Sequence, residues 1–388
     1  MKSITRRTCL KQIALATAAG VLPAVFRPPP GFAAELETQP VPMESESAAM
    51  AGIARQTMEQ FNAPGLSVAV ARHGQLVYQQ AFGFADQASG EHVTASSLFR
   101  IASVSKPITS VAIFTLVEQG RVALDDLVFG EKGILKFDYG KTYPERVTKI
   151  TLHHLLTHTC GGWENGKDVQ DPMFYKPALN HRELIAWTLR ELPLAHEPGT
   201  HYAYSNFGFC LLGRVIEKIT QQSYSEYVQQ AVLSKCGVAD MRIAGNTLAD
   251  RAPNEVIYYG RKRDDLAPYA MNVARMDSHG GWIATPADLV RFAMHVDGFQ
   301  TTANILRADT IKLMTTATEP NPQYACGWCV NRIPNWWHTG SLPGTLSIMV
   351  RTHSGLCWAA LTNTRAEDGP NLDEMMWKIV RCVPAWHA

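Results

Sequence analysis

The sequence predicts an α+β protein in which one antiparallel sheet is assembled from both ends of the chain, with helices packed on it and a mostly helical lobe between them. Strand patterns occur near the beginning of the chain and again near its end, whereas the middle shows helical periodicity. Hydrophobic residues make up 46% of the chain and charged residues 18%, as in folded globular proteins. A chain of 388 residues can bury a sizeable core.

Short local patterns predict the elements near the beginning of the chain. A helix is predicted near Ala48 to Phe61, and the stretches GLSVAVAR and QLVYQQAFGFA after it predict two strands. The dipeptide His73-Gly74 between these strands predicts a tight turn, so the two form a hairpin. Apolar residues at helical spacing then predict a helix from Ser103 to Gly120, where the glycine ends it.

Helices dominate the middle of the chain and strands return after it. The clearest helices are NFGFCLLGRVIEKIT, SYSEYVQQAVL and TPADLVRFAMHV, and the last begins with Thr285 and Asp288 at capping-box spacing. Strands are predicted in YACGWCVNRI, NWWHTG, TLSIMVRT and GLCWAALTN, followed by a final helix from Asn371 to Arg381. We therefore expect a sheet domain over residues 48–120 and 280–388 and a mostly helical domain over residues 121–279, with a cleft between them.

Residues 1–34 predict a signal peptide and residues 35–47 a linker. The basic stretch MKSITRRTCLKQ precedes the short apolar run IALATAAGVLPAVF, and the small residues up to Ala33 offer a cleavage site. The pair Arg6-Arg7 ahead of the apolar run is similar to a twin-arginine signal, which predicts a periplasmic or secreted protein exported in the folded state. An ordinary N-terminal helix and a membrane anchor are the alternatives.

The charge and hydropathy of the chain indicate which kinds of partner it can bind. The net charge is +1, from 36 basic and 35 acidic residues, and no block of like charges predicts nucleic-acid binding. No apolar run approaches the roughly 20 residues that span a bilayer, so the sequence predicts no stable membrane span in the mature chain. We expect a small-molecule or peptide substrate.

The sequence predicts neither a metal nor a cofactor. His154 and His158 lie one helical turn apart, but the glutamate of an H-E-x-x-H zinc motif is missing, and no Gly-rich phosphate loop occurs. Of eight cysteines, seven remain once Cys9 leaves with the signal peptide. Because seven is odd, at least one stays free or pairs between chains, and the pairing of the others is left open.

Ser103 and Lys106 are the first candidates for catalytic chemistry. At a spacing of three, the hydroxyl and the ammonium lie on one face where a helix begins. A serine is a poor nucleophile until a base takes its proton, and burial lowers the pKa of a lysine toward neutrality. Of the lysines in the chain, only Lys106 has a serine three residues before it.

Two later stretches add further polar groups. Tyr204 and Asn206 are two residues apart in HYAYSNFGF, so in an extended turn they face the same way, as a proton-transfer group and an amide that can hold a carbonyl. In WWHTGSLPG, the triplet His338-Thr339-Gly340 ends a strand, and Gly340 allows another backbone to approach closely. Packing of the tyrosine ring and a plain strand end are the alternative interpretations.

The three patterns occur in the order Ser-x-x-Lys, Tyr-x-Asn, His-Thr-Gly, and with them the sequence resembles the penicillin-recognising serine hydrolases. This superfamily includes class C β-lactamases, serine D-alanyl-D-alanine carboxypeptidases and related esterases and D-amino-acid amidases. The corresponding pattern in class A β-lactamases and penicillin-binding proteins is Ser-x-x-Lys, Ser-Asp-Asn and Lys-Thr-Gly. The stretches LHHLLTHTCGGW, EPGTHYAYSNFGFCLLGRVIEKI and GGWIATPADLVRFA extend the resemblance over roughly residues 48–364.

The resemblance implies a catalytic role for three residues and a two-lobed β-lactamase/penicillin-binding-protein-like fold. Ser103 would be the acylated nucleophile and Lys106 its proton partner. Tyr204 would be the base and acid that passes protons to the leaving group.

The remaining motif residues would bind the substrate. Asn206 would hold its acyl side, and His338 would steady Tyr204 or bind a carboxylate, beside Thr339. The backbone N–H groups of Ser103 and of Ser341, which follows Gly340, would form the oxyanion hole. A histidine in place of the lysine of Lys-Thr-Gly removes a permanent cation, so we expect no strong β-lactamase activity.

Two classes of function remain. The first is an exported serine hydrolase that acts through an acyl-enzyme on an ester, a D-amino-acid peptide or a β-lactam, with acyl transfer to an acceptor other than water as a variant. The second is a non-catalytic protein that binds cell-wall peptide or a partner on the same fold.

Overall fold

The large sheet is assembled from both ends of the chain, as the sequence predicts. We describe a computed structural model over residues 39–165, 171–174, 176–260, 267–365 and 371–387. The predicted signal peptide lies outside the described residues. The sheet has seven strands in the order β3-β2-β1-β10-β9-β8-β7, and a small sheet has the order β4-β6-β5. The strands are β1 (Gly65–Arg72), β2 (Gln75–Asp86), β3 (Glu91–His92), β4 (Phe99–Arg100), β5 (Arg242–Ile243), β6 (Trp282–Ala284), β7 (Cys329–Val330), β8 (Trp336–Leu342), β9 (Thr345–Arg351) and β10 (Leu356–Thr362).

Helices pack on both faces of the large sheet. They are α1 (Glu44–Phe61), α2 (Ser105–Glu118), α3 (Glu145–Thr148), α4 (Leu152–Leu156), α5 (His181–Glu191), α6 (Asn206–Thr220), α7 (Tyr224–Ala231), α8 (Pro286–Met294), α9 (Ala308–Thr315) and α10 (Leu372–Arg381). The helix α8 has the predicted capping box of Thr285 and Asp288. With this antiparallel sheet and its flanking helices, the predicted α+β fold class is confirmed.

Strand alternation divides the core into two layers. The strands β1 and β10 lie next to each other in the sheet and pair antiparallel. In β1, Leu66, Val68 and Val70 face one layer, which α1 and α10 cover, whereas Ala69 and Ala71 face the other, which holds α2, α6 and α8. Successive side chains of a strand point to opposite faces, so a strand covered on both faces is apolar throughout. The small residues on the second face let the helices approach closely.

The hairpin of β1 and β2 has the predicted turn. His73 and Gly74 both have positive φ, 44° and 79°. A two-residue hairpin turn with positive φ at both positions matches the twist of the strands, and glycine adopts it without strain. At the other end of the chain, β8, β9 and β10 pair in register as a meander.

Two local predictions need correction. The first helix begins at Glu44 rather than Ala48, because Glu46 accepts a hydrogen bond from the backbone N–H of Met43, so the predicted linker is shorter. The stretch YACGWCVNRI is not one strand: the backbone N–H of Ala325 bonds to the carbonyl of Trp328, and only Cys329–Val330 is extended. The tight turn with Gly327 at positive φ explains the difference.

Three further features concern the chain as a whole. The residues from Gln39 onward form one compact unit, and the division into a sheet domain and a helical domain stays a prediction. The seven cysteines among the described residues are free thiols. None of the helices in the described part of the chain is long and apolar enough to cross a membrane.

A buried ion pair ties α6 to the segment before β6. Nη2 of Arg214 lies 2.6 Å from Oδ2 of Asp277, and the two side chains are 6% and 12% exposed. Burial raises the pKa of Asp277, but the charges and hydrogen bonds of Arg214 and His181 together outweigh it and hold the pKa below its usual range. The backbone N–H and hydroxyl of Ser278 also donate to Asp277. This pair fixes the backbone that continues to His279.

We predict that Arg214→Ala destabilises the protein by about 3–5 kcal/mol at neutral pH, because it leaves the carboxylate of Asp277 buried without its cation. Urea unfolding followed by circular dichroism measures the change. The matched control is Arg190→Ala, which removes an exposed pair with Glu191 and should have little effect. Equal losses in the two variants would contradict the assignment.

Candidate active site

Ser103 lies in a 3₁₀ turn, Ala102–Val104, directly before α2. The residue before it, Ala102, has φ = 47°, a left-handed conformation that residues with a side chain rarely adopt. Such backbone strain persists only where the surroundings impose it. Here the hydroxyl of Ser347 donates to the carbonyl of Ile101 at 2.6 Å, which ties the turn to β9.

Gly340 lets β8 pass directly beside this turn. A Cβ atom at Gly340 would lie 2.3 Å from the carbonyl oxygen of Ile101 and 3.0 Å from Cβ of Ala102, so any other residue would push the strand away. The backbones of the segments that carry Ser103 and Ser341 are thereby held close together. The predicted oxyanion hole from their two N–H groups stays a prediction.

Lys106, in the first turn of α2, is fully buried and has three polar partners. Its Nζ lies 3.0 Å from Oγ of Ser103, 2.6 Å from Oδ1 of Asn206 and 3.1 Å from the carbonyl oxygen of His279. Burial lowers the pKa of Lys106 to about 7, although Asp171 acts in the opposite direction. The site therefore holds a lysine that can be neutral near physiological pH.

Tyr204 closes the site on the side of α6. Its hydroxyl interacts with the side chain of Ser103, and Nζ of Lys106 lies 4.7 Å from the centre of its ring. Burial raises the pKa of Tyr204, which favours the protonated phenol. Of the two predicted roles, this environment suits the acid better than the base.

Asn206 is the first residue of α6 and is buried between two charged groups. The hydroxyl of Ser205, the N-cap, accepts from the N–H of Gly208 at 3.0 Å and fixes the start of the helix. Oδ1 of Asn206 accepts from Lys106, and its Nδ2 donates to Oδ2 of Asp171. Both ends of the amide are thus engaged within the protein, and its predicted role toward the substrate stays a prediction.

His338 belongs to a chain of hydrogen bonds behind Tyr204. Its Nε2 lies 3.1 Å from the hydroxyl of Tyr324, which lies 3.1 Å from Nε2 of His158. The ring of His158 packs on that of Tyr204 with centroids 4.2 Å apart, whereas the ring of His338 is 6.3 Å away. In this structure the hydrogen bonds of His338 therefore go to Tyr324 and the backbone.

The two groups at the ends of this series of hydrogen bonds fix the direction of every hydrogen bond between them. The N–H of Ser205 donates to Nδ1 of His158 at 3.0 Å, so the proton of His158 is on Nε2 and points to Tyr324. At the other end, Nδ1 of His338 lies 2.6 Å from the carbonyl of Thr339 and must donate to it. The hydroxyl of Tyr324 then donates to Nε2 of His338. Burial lowers the pKa of His338 to about 3, so the ring is neutral.

The structure brings four predicted residues together and places the others around them. Ser103, Lys106, Tyr204 and Asn206 contact one another, and His338 lies behind them. The side chains of Thr339 and Ser341 are exposed on β8, unlike those of the buried residues between and beside them, and line a cavity of about 200 Å³ next to Asn371–Asp373.

The sequence patterns did not predict Asp171, Tyr324 or His158 as parts of the site. Asp171 and Tyr324 stand in none of the three patterns: Asp171 precedes a short 3₁₀ turn, and Tyr324 precedes a tight turn. His279 is buried, and its carbonyl accepts from Lys106. These contacts form only because segments that are distant in the sequence come together in the fold, so local sequence patterns do not predict them.

Known proteins similar to this chain include a penicillin-binding protein and an esterase. The chain is 26% identical over 316 residues to penicillin-binding protein 4* of Bacillus subtilis, covering 75% of this chain and 65% of that protein. It is 33% identical over 193 residues to esterase EstB of Burkholderia gladioli, covering 48% of each. The chain therefore spans less than two thirds of the length of these curated relatives.

Solved structures share the fold at low sequence identity. The D-amino acid amidase of Ochrobactrum anthropi SV3 superposes with a TM-score of 0.72 at 20% identity, covering 89% of this chain and 100% of that chain. The octameric penicillin-binding protein homologue of Pyrococcus abyssi superposes with a TM-score of 0.70 at 23% identity, covering 87% and 77%. The family model described as Beta-lactamase matches residues 50–379, and the chain therefore belongs to the β-lactamase family.

Proposed function

We propose that the protein is a serine hydrolase that forms an acyl-enzyme on Ser103 and acts on ester or amide bonds. The observation that carries the proposal is the set of three partners around Nζ of Lys106. A nucleophilic serine needs a base at hydrogen-bond distance, and the distance of 3.0 Å from Nζ to Oγ meets this requirement.

The partners of Lys106 determine where its lone pair points. Oδ1 of Asn206 and the carbonyl of His279 can only accept hydrogen bonds, whereas a hydroxyl can also donate. A neutral amine has two N–H groups and one lone pair. When both N–H groups face the two obligate acceptors, the lone pair faces the hydroxyl of Ser103. This arrangement supports a neutral Lys106 as the base for this serine.

The reaction then follows in two halves. Oγ of Ser103 attacks the carbonyl carbon while its proton passes to Nζ of Lys106, and the oxyanion is stabilised by the backbone N–H groups of Ser103 and Ser341. The C–O or C–N bond breaks as Tyr204, which interacts with Ser103, gives its proton to the leaving group and regains one from Lys106. Water then adds to the acyl-enzyme by the reverse proton path and releases the acid.

The neutral His338 supports a substrate without a carboxylate next to the bond that is cleaved. Both nitrogens of this ring are engaged with Tyr324 and Thr339, and its pKa of about 3 leaves it uncharged. The position therefore supplies no cation for the carboxylate of a penicillin or of a peptide C-terminus. We propose an ester or an amide of an acyl group as the preferred substrate, ahead of a β-lactam or a carboxypeptidase substrate.

The relatives are consistent with this range of chemistry. One is an esterase, one superposed structure is a D-amino acid amidase, and another relative is a penicillin-binding protein. Ester and amide cleavage and penicillin binding all fit acylation of a serine. Acyl transfer to an acceptor other than water uses the same acyl-enzyme. A non-catalytic protein that binds cell-wall peptide remains the alternative for the test below.

We predict that a fluorophosphonate adds to Ser103 and that Ser103→Ala abolishes the adduct. Intact-protein mass spectrometry measures the added mass. Ser105→Ala is the matched control: this serine is two residues away, is fully buried, and its hydroxyl makes no hydrogen bond within the described part of the chain. The control should be labelled like the wild type. A folded wild type that takes no label would refute the hydrolase and favour the binding protein.

We predict that acetyl-D-alanyl-D-alanine amide acylates the enzyme at least as fast as the free acid of the same peptide. Because His338 is already neutral, the ratio should stay constant from about pH 5 to about pH 8. Product release measured by mass spectrometry gives the two rates. A preference for the free acid by about tenfold or more would show a carboxylate-binding cation and overturn the substrate assignment.

We also propose that the protein is exported by a twin-arginine signal to the periplasm or the medium. The basis is the sequence alone: Arg6-Arg7 ahead of a short apolar run. Replacing both arginines by lysine should retain the precursor in the cytoplasm, as cell fractionation and immunoblotting would show. Lys11→Arg is the control and should be exported normally. Normal export of the double variant would exclude this route.

A further inference from the structure

Asp171 is a buried carboxylate outside the three patterns Ser-x-x-Lys, Tyr-x-Asn and His-Thr-Gly. It is 4% exposed and stands just before the 3₁₀ turn Pro172–Phe174. Its Oδ1 accepts from the backbone N–H of Met173 at 2.9 Å, and its Oδ2 accepts from Nδ2 of Asn206. Burying a carboxylate is costly unless its oxygens are hydrogen-bonded, and these two contacts meet that requirement.

The carboxylate determines which way the amide of Asn206 faces. An ionised carboxylate can only accept, so it selects the orientation in which Nδ2 points toward it. Oδ1 then points to Nζ of Lys106, at 2.6 Å. In the flipped orientation, Oδ1 would face the carboxylate, which is a repulsive contact between two acceptors, and Nδ2 would face the amine.

The orientation of the amide in turn determines which direction of Lys106 is left open. With Oδ1 of Asn206 and the carbonyl of His279 each accepting one N–H, the lone pair of the neutral amine is left for Ser103. With the amide flipped, Nδ2 would compete with the serine for that lone pair. The series of hydrogen bonds Asp171–Asn206–Lys106–Ser103 therefore links the carboxylate to the nucleophile. In this series the carboxylate sets the orientation of the amide, and the amide sets the direction of the lone pair.

We propose that Asp171 is a positioning residue for acylation, which acts through the amide of Asn206 to keep the lone pair of Lys106 directed at Ser103. This inference rests on the proposed acyl-enzyme function. Asp171 does not touch the reacting atoms, so removing it should lower the rate without removing the nucleophile or its base.

The charge of Asp171 adds a second, separable effect. Its electrostatic neighbours are Lys106 and Arg275, and both lower the pKa of Asp171 against the larger effect of burial, which raises it. Its negative charge favours the protonated form of Lys106. The other titratable groups around Lys106 are Tyr204, Cys329, His158, His279 and His338. Removing the charge lowers the pKa of Lys106, so the neutral base appears at lower pH.

The test is the rate of fluorophosphonate labelling of the purified protein as a function of pH, for Asp171→Asn and Asp171→Ala. An asparagine at this position can accept or donate, so it no longer selects one orientation of Asn206. For both variants we expect the limiting rate at high pH to fall by about tenfold. In the acid limb of the pH profile, the labelling rate falls as the pH is lowered. We also expect the pH at which this rate reaches half its limiting value to be lower than in the wild type.

Asp297→Asn is the matched control. Asp297 is also buried, at 1% exposed, and its Oδ1 likewise accepts a backbone N–H two residues on, that of Phe299, but it belongs to no part of the site. Its limiting rate and acid limb should equal those of the wild type. A merely structural role of Asp171 would lower the melting temperature without moving the acid limb.

The outcomes separate this inference from the function on which it rests. If the wild type is labelled but folded Asp171 variants keep its limiting rate and acid limb, the inference on Asp171 falls and the hydrolase stands. If the wild type takes no label, both fall. If the variants fail to fold, the NMR spectrum of the side-chain amide of Asn206 in the wild type is the test. The carboxylate of Asp171 should shift one of the two Nδ2 protons far downfield. Two similar, unshifted protons would overturn the inference.

Discussion

The burial of one amine, that of Lys106, is the constraint on which the site depends. Transfer of an ammonium from water into the interior is unfavourable, and the protein accepts this cost in a position where the amine has three polar partners. The result is a pKa of about 7 instead of the ordinary value of a lysine. Without burial the amine would be charged and would have no lone pair to receive a proton.

Three separate parts of the fold deliver those partners. The 3₁₀ turn before α2 carries Ser103, the first residue of α6 is Asn206, and the segment before β6 carries the carbonyl of His279. The ion pair of Arg214 with Asp277 ties the second part to the third, close to where both contact the lysine. The glycine in β8 brings the sheet against the first. The sheet and the helical layer therefore both contribute to the position of a single nitrogen atom.

The sequence was informative where the site depends on residue types at a fixed short spacing. It was uninformative where the site depends on contacts between segments that are distant in the sequence. The pairs Ser103 with Lys106 and Tyr204 with Asn206 are short-range, so spacing on a helix or turn predicts their proximity. Strand alternation likewise predicted the sheet. Asp171 is 35 residues from its partner Asn206, and Tyr324 is 166 residues from His158, so no local pattern could reveal those contacts.

The two sides of the site solve the same physical problem in the same way. Amides, imidazoles and hydroxyls can each be oriented in more than one way, and a wrong orientation would block the lone pair of the lysine or put the proton of the histidine on its other nitrogen. On one side the ambiguous amide of Asn206 lies between a carboxylate, which only accepts, and an amine whose remaining N–H faces a carbonyl. On the other side two imidazoles and a hydroxyl lie between a backbone N–H, which only donates, and a backbone carbonyl, which only accepts. Because these ambiguous groups lie between unambiguous ends, the fold sets the proton positions of two neutral imidazoles and the direction in which a neutral Lys106 presents its lone pair.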